Sequence, residues 1–281
     1  MAALFKNNTQ SGSEDLQVYW SSNKHLAGKD WDNFGDALVP ELIQRISGNQ
    51  VRWVARDTTV SNNAGTSKVF FAIGSILDQA STNNIVWGSG IMNSQKKLNA
   101  STFLAVRGPI SYAKVLASGF QMKPIWGDPA LLCPFYFPVP KKTQTEKIAL
   151  VPHYVDYDAV KNKYANNTNV LVVDLTNPDL EEVIAQIATA RMVYSSSLHG
   201  LIVAHAYGVK AKWVLFSDKL DGDDVKFNDY FMSVGIRLYK PLTESETLFE
   251  ANFETDTVLP RLDLLQKVQL NLIHSCPFIK K

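Results

Sequence analysis

One stretch constrains this chain more than any other: Arg191-Met-Val-Tyr-Ser-Ser-Ser-Leu-His-Gly-Leu-Ile-Val-Ala-His-Ala-Tyr-Gly208. It starts as an apolar run, breaks into three serines and resumes at helical spacing. Leu198, Leu201, Ile202 and His205 fall at i, i+3, i+4 and i+7, one face of a helix. Gly208 supplies a stop, and residues 210–216 read as the next strand. Strand, hydroxyl-rich turn and helix in succession bring unpaired backbone N–H groups and the positive end of a helix dipole to one point. Such a point suits a phosphate or a carboxylate. His199 falls in the first turn of that helix, within reach of a bound anion. Serines also cap ordinary helices, and a helical histidine can simply be packed. Capping, however, needs one hydroxyl, and this turn offers Ser195, Ser196 and Ser197.

The same alternation runs through the rest of the chain. Strand-forming runs at 16–20, 51–55, 68–73, 84–87 and 103–106 are interleaved with helical patterns at 36–48 and 109–116. Residues 125–126 read as a further short strand. After a segment carrying Pro134, Pro138 and Pro140 and then Lys141-Lys-Thr-Gln-Thr-Glu146, a second series begins. It offers strands at 148–151, 170–173, 192–194 and 213–216, and helices at 179–190, 198–207 and 224–234. An amphipathic tail over 256–274 closes the chain. This pattern predicts an α/β fold with mostly parallel sheets. The proline-stiffened segment divides it into two Rossmann-like domains, 1–138 and 139–281, facing across a cleft, with the last helix packed back on the first half. Ligands in such sheets bind beyond the carboxyl ends of the strands.

Composition narrows the partners. A net charge of +1 and no arginine or lysine stripe argue against nucleic acid. Cys133 and Cys276 are the two cysteines, far apart, forming neither a zinc cluster nor a redox pair, so no metal is expected and a reduced, cytoplasmic setting fits. The first residues carry no apolar leader, and no apolar run approaches the ~20 residues that span a bilayer, although the protein could sit against the inner face of a membrane.

Chemically suggestive residues fall at the expected strand ends. Gly74-Ser75 and Gly88-Ser89-Gly90 let a ligand approach the backbone closely, or are ordinary turn glycines. Arg107, just before a Gly-Pro helix start, can fork a carboxylate or phosphate, or join an ion pair. Asp128 in Gly127-Asp-Pro-Ala130 is either an Asx-turn residue or a catalytic one. His153 and Tyr154 follow the first strand of the second half and face the same cleft. No dinucleotide, P-loop, HExxH or GxSxG pattern occurs.

Asn33-Phe-Gly-Asp36, Gly88-Ser-Gly90, Val106-Arg-Gly-Pro-Ile-Ser111, Gly127-Asp-Pro-Ala-Leu-Leu132, Ser196-Ser-Leu-His-Gly200 and Asp229-Tyr230 occur here in that order. The ordered set resembles the polysaccharide pyruvyl transferase family. The resemblance implies a GT-B-like architecture. It also implies transfer of a pyruvyl group from phosphoenolpyruvate, a co-substrate with no separate cofactor, onto two hydroxyls of a sugar as a cyclic ketal. The acceptor would be a glycan or a lipid-linked oligosaccharide. On this reading Arg107, Ser195, Ser196, Ser197, Leu198, His199 and Gly200 hold the donor. Asn33, Gly35, Asp36, Gly74, Ser75, Ser89 and His153 meet the acceptor, and His199, Asp36 and Asp128 are catalytic. Many members carry an arginine where this chain has Ser197; either the helix N-terminus and another cation such as Arg191 or Lys212 compensate, or the donor is gripped differently. A GT-B glycosyltransferase using a nucleotide sugar, with Asp218 or Asp221 on the ribose, and a non-catalytic sugar- or anion-binding protein are the alternatives.

Overall fold

Short apolar runs bounded by glycine and serine become short parallel strands, and the helical patterns between them become the crossovers. The computed structural model describes residues 15–56, 60–62, 65–140, 144–219, 224–243 and 258–279. Asp221, residues 141–143 of the expected linker and the expected helix start at Asp256 lie outside the described residues.

The first sheet holds β1 (Leu16–Tyr19), β2 (Val51–Trp53), β5 (Val69–Phe71), β6 (Asn84–Trp87) and β7 (Thr102–Ala105). Its order is β2-β1-β5-β6-β7 and every pairing is parallel. The expected strand at 125–126 is reduced to a single parallel bridge, Val106 to Trp126. A small antiparallel hairpin, β3 (Val60–Asn62) with β4 (Gly65–Ser67), branches off between β2 and β5. The second sheet holds β8 (Ile148–Val151), β9 (Val170–Val172), β10 (Met192–Ser195), β11 (Ala211–Leu215) and β12 (Leu242–Thr243). Its order is β12-β11-β10-β8-β9, again wholly parallel. The fold is thus the expected pair of parallel α/β sheets.

Helices α1 (Asn23–Ala27), α2 (Phe34–Ser47), α3 (Pro109–Ala117) and α4 (Cys133–Tyr136) belong to the first half. Helices α5 (Tyr157–Lys163), α6 (Leu180–Ala188), α7 (Leu198–Ala206) and α8 (Val225–Ser233) belong to the second, and α9 (Leu262–Ser275) closes the chain. α2 buries Leu38, Val39, Leu42 and Ile43 in one core with Val183, Ile184 and Ile187 of α6 and Leu201 to Ala204 of α7. One apolar core therefore runs through both halves. α9 lies against the first half: Trp87 Nε1 donates to the Leu272 carbonyl at 3.1 Å and Gln269 Nε2 to the Leu131 carbonyl at 2.8 Å. α1 and α5 were not foreseen, because α1 buries no residue and α5 only Val160, leaving no apolar stripe to read.

The halves are also locked by one carboxylate. Asp229 of α8, fully buried, accepts the Ile110 and Ser111 amides at the start of α3, at 2.9 and 3.0 Å. Its other oxygen accepts Ser111 Oγ at 2.6 Å and Arg107 Nε at 3.1 Å. It thus caps a helix of the other half and neutralises a buried arginine at once. A Cβ on Gly108 would lie 2.1 Å from the Asp229 carbonyl, so the approach needs glycine there. Asp229→Ala should cost about 3–5 kcal/mol in urea unfolding, the scale for leaving a buried charge unpaired. A loss below about 1 kcal/mol would mean that solvent replaces the carboxylate and that the lock is not structural.

Candidate functional site

Each sheet order contains one point where the chain turns from building one side to building the other. In the first sheet this lies between β1 and β5, in the second between β8 and β10. Crevices form beyond the carboxyl ends of the strands at such points. Here the two crevices face each other and merge into one cleft of about 400 Å³. Ser21 and Asn23 after β1 and Gly74 and Ser75 after β5 line it on one side. His153 and Tyr154 after β8 and Ser196 to His199 after β10 line it on the other.

The α7 turn is the most polar wall. Ser197 is the N-cap, and its hydroxyl caps nothing: it is 5% exposed, lines the cleft and has no hydrogen-bond partner among the described residues. The amides of Leu198, His199 and Gly200 follow as first-turn donors, also without an acceptor among the described residues. Ser196 Oγ accepts the His153 amide at 2.8 Å and so ties the two loops together. Ser195 does not face the cleft. Its buried hydroxyl accepts the Ser197 amide at 3.0 Å and lies 2.9 Å from the Val151 carbonyl, and a Cβ on Gly200 would come within 2.4 Å of it. Ser195 and the glycine at 200 shape the turn, whereas Ser196, Ser197, Leu198 and His199 line the cleft.

His199 sits against one carboxylate and within the electrostatic reach of another, Asp36. Its Nε2 lies 3.7 Å from Asp128 Oδ2, and neither atom has another partner among the described residues. Asp128 is fully buried and spends its other oxygen on the Ala130 amide at 3.0 Å. It is therefore both the Asx-turn residue and a group aimed at the histidine, but it does not line the cleft and cannot serve the sugar directly. The opposite edge of the ring lies over Gly35, where a Cβ would be 1.9 Å from Nδ1. Gly35 was expected to touch the acceptor; it supplies clearance for His199 instead.

Asp36, next along α2, lines the cleft. Burial pushes its carboxyl up to about 7, against the pull of His199, so it changes charge near neutrality. Asn33, the N-cap of α2, lines the cleft with its Oδ1 unpartnered. Burial drives His153 down to about 4, assisted by the positive charge of Lys226, so this cleft imidazole is neutral at physiological pH.

Two expected contacts change place. Arg107 does not line the cleft. It is fully buried, with Nε on Asp229, Nη1 donating to Ser75 Oγ at 2.6 Å and Nη2 to the Ile91 carbonyl at 2.7 Å. It holds the wall rather than an anion, and the second glycine of Gly88-Ser-Gly90 exists for it: a Cβ on Gly90 would lie 2.3 Å from Cζ. Ser89 likewise turns inward, its hydroxyl donating to the Ala72 carbonyl at 2.6 Å. Arg191 and Lys212 do not line the cleft, and Lys212 Nζ sits 4.2 Å over the Tyr239 ring. Asp218, proposed for a ribose, is exposed and also away from the cleft.

The cleft cations are Lys96, paired with Asp78 at 3.7 Å, and Lys226 in the first turn of α8. Both were missed, because a single lysine in an amphipathic helix or loop looks like any solvated lysine. Among the described residues no three His, Cys, Asp or Glu side chains converge as metal ligands, and no helix is long and apolar enough to cross a membrane.

Two outcomes follow from this packing. Gly35→Ala should drive the His199 ring out of its slot and cut activity at least about tenfold, the cost of misplacing a reacting group by about 1 Å being larger still; unchanged activity would show that the slot is not used. Asp36 has a folded-state pKa above its reference of 3.8, so the stability it contributes is present at low pH and lost as pH rises towards about 7. Asp36→Asn should therefore melt higher than wild type at about pH 8 and lose that advantage below about pH 4.5. A pH-independent difference in melting temperature would refute the shift.

The model of the family described as polysaccharide pyruvyl transferase matches residues 33–214, from the N-cap of α2 into β11. An uncharacterized protein of Acanthamoeba polyphaga mimivirus is 32% identical over 215 residues, which is 73% of this chain and 71% of that protein. Among solved structures, a functionally uncharacterized protein from Klebsiella pneumoniae overlaps with a TM-score of 0.45 at 13% identity, covering 82% of this chain and 93% of its own. An E. coli heptosyltransferase with ADP-2-deoxy-2-fluoro heptose gives 0.37 at 13% identity, covering 75% and 91%. The chain belongs to the polysaccharide pyruvyl transferase family, and its role is pyruvyl transfer in polysaccharide synthesis.

Proposed function

We propose that the donor is phosphoenolpyruvate and that the product is a cyclic pyruvate ketal on a sugar of a bacterial-type polysaccharide or its lipid-linked precursor. One observation carries this reading: the α7 turn opens on the cleft at Ser196 to His199, where among the described residues the Leu198 and His199 amides and the N-cap hydroxyl have no partner, and the same turn holds His199 against Asp128. A helix start of this kind suits the phosphate. A histidine in the same turn then lies beside the enol carbon attached to that phosphate.

The chemistry divides between the two walls. The second half holds the donor through Ser196, Ser197 and the amides of Leu198 and His199. His199, oriented by Asp128, gives a proton to the methylene carbon, which becomes the methyl group. The positive charge left on the central carbon is met by one sugar hydroxyl, whose proton passes to Asp36, a base poised near neutrality. The bond to the phosphate oxygen then breaks and the second hydroxyl closes the ketal, its proton leaving with inorganic phosphate. Asn33, Gly74, Ser75 and the neutral His153 line the side on which the sugar stands.

The test pairs binding with turnover. Phosphoenolpyruvate should raise the melting temperature of the wild type, as any ligand specific to the folded state does. Phosphate should be released only when an acceptor glycan is added. His199→Gln should fold, keep most of its donor affinity and lose roughly 10²–10⁴-fold in turnover. Absence of acceptor-dependent phosphate release from the wild type defeats the donor assignment. Near-normal turnover in the folded variant defeats the role given to His199.

A further inference from the structure

We propose that Lys226 is the cation that grips the anionic donor in the cleft onto which the α7 turn opens. This rests on the reading of the cleft as a phosphoenolpyruvate site. The donor brings a phosphate and a carboxylate, and an α7 N-terminus offers neutral donors and half a charge at most. A full positive charge facing it is needed to hold both groups.

Among the described residues that line the cleft, only two are lysines. Lys96 is largely exposed and already paired with Asp78 at 3.7 Å. Lys226 is only partly exposed and makes no hydrogen bond or ion pair with any described residue, its ammonium standing 5.3 Å from the Phe227 ring centre. Its backbone is fixed. Three residues on, Asp229 anchors α8 to α3 and Arg107, and the neighbouring Phe227 stacks on Trp213 at 4.0 Å. The ammonium is therefore aimed by a locked helix, not by a loose surface stem.

Its surroundings lack the counter-charge that a structural lysine would have. Arg107 faces it, already neutralised by Asp229, and the nearby His153 is uncharged. Asp224, on its own helix, is shared with Lys240 at 3.7 Å. Asp36 and Asp78 are the other cleft carboxyls, the first half-titrated near neutrality and the second paired with Lys96. Burial, reinforced by the charge of Arg107, lowers the pKa of Lys226, while Asp224 opposes the shift. A bound dianion reverses that balance, so donor binding and protonation of Lys226 assist each other.

Isothermal titration calorimetry with phosphoenolpyruvate, and separately with inorganic phosphate, tests the assignment on wild type, Lys226→Met and Lys226→Arg. Lys226→Met should fold with an unchanged or raised melting temperature and bind the donor about 30-fold or more weakly. Lys226→Arg should keep most of the affinity. Wild-type affinity should fall on the alkaline side, above the range where Asp36 and His153 titrate, and in Lys226→Arg this decline should vanish because arginine keeps its charge. Normal donor affinity in Lys226→Met, or an alkaline decline that persists in Lys226→Arg, overturns the proposal. Binding of inorganic phosphate that depends on Lys226, without binding of phosphoenolpyruvate, keeps the anion site and rejects the donor; wild type that binds neither overturns both. Should Lys226→Met fail to fold, Lys226→Gln carries the same comparison.

Discussion

A buried carboxylate with four donors holds this molecule in its working shape. Asp229 takes two amides from the start of α3, the Ser111 hydroxyl and Arg107 Nε. A charge taken out of water is tolerable only when such bonds replace the solvent. Here they come from the other half of the chain, so satisfying one side chain also docks the two halves. Much else hangs from that junction. Arg107, held by it, in turn fixes Ser75 on the cleft wall. Gly90 and Gly108 must lack side chains to let the arginine and α8 approach. α8, once docked, carries Lys226 to the cleft.

The same physics, run the other way, picks out the chemistry. Asp229 is buried and satisfied, and it is structural. Asp128 is equally buried, but among the described residues one of its oxygens has no partner except the His199 edge 3.7 Å away. Buried polar groups without partners are uncommon because they are costly, and they concentrate where a protein does work. Asp36 is a carboxyl whose pKa burial raises to about 7, and among the described residues the Ser197 hydroxyl and the Leu198 and His199 amides have no partner. All of these unspent groups open onto, or stand directly behind, one cleft. In the larger groove of about 910 Å³ along α6 and residues 137–140, Arg45 is engaged with Glu181 and the Tyr136 carbonyl, and among the described residues no comparable unspent group lines it.

How much of this could be read from the chain alone depends on the range of the interaction. β6 and β8 coincide with their apolar runs because strand-forming residues and the breakers that follow them, Gly88 and Pro152, act locally. α2 and α3 end where Gly48 and Gly119 permit. The α7 turn was legible for the same reason: a strand, three hydroxyls and a helix are neighbours in sequence, and a helix start binds anions wherever it occurs. Elements with no buried stripe, such as α1, left no such trace.

Sequence by itself therefore determined the alternation of strands and helices, the two-sheet plan and the anion-suited turn at Ser196 to His199, because each follows from residues within a few positions of one another. Tertiary structure decided which polar residues are free. Arg107 and Asp128 look alike from the sequence, each an ionic residue beside a Gly or Pro at a strand end. One has its charge neutralised by a carboxylate 122 residues away, and the other points an unspent oxygen at a histidine. Ser195 and Ser197 are two residues apart in one run, yet one hydroxyl is spent on the turn and the other faces the cleft. Whether a donor or acceptor is satisfied depends on what the fold brings next to it, and those partners lie in distant parts of the chain.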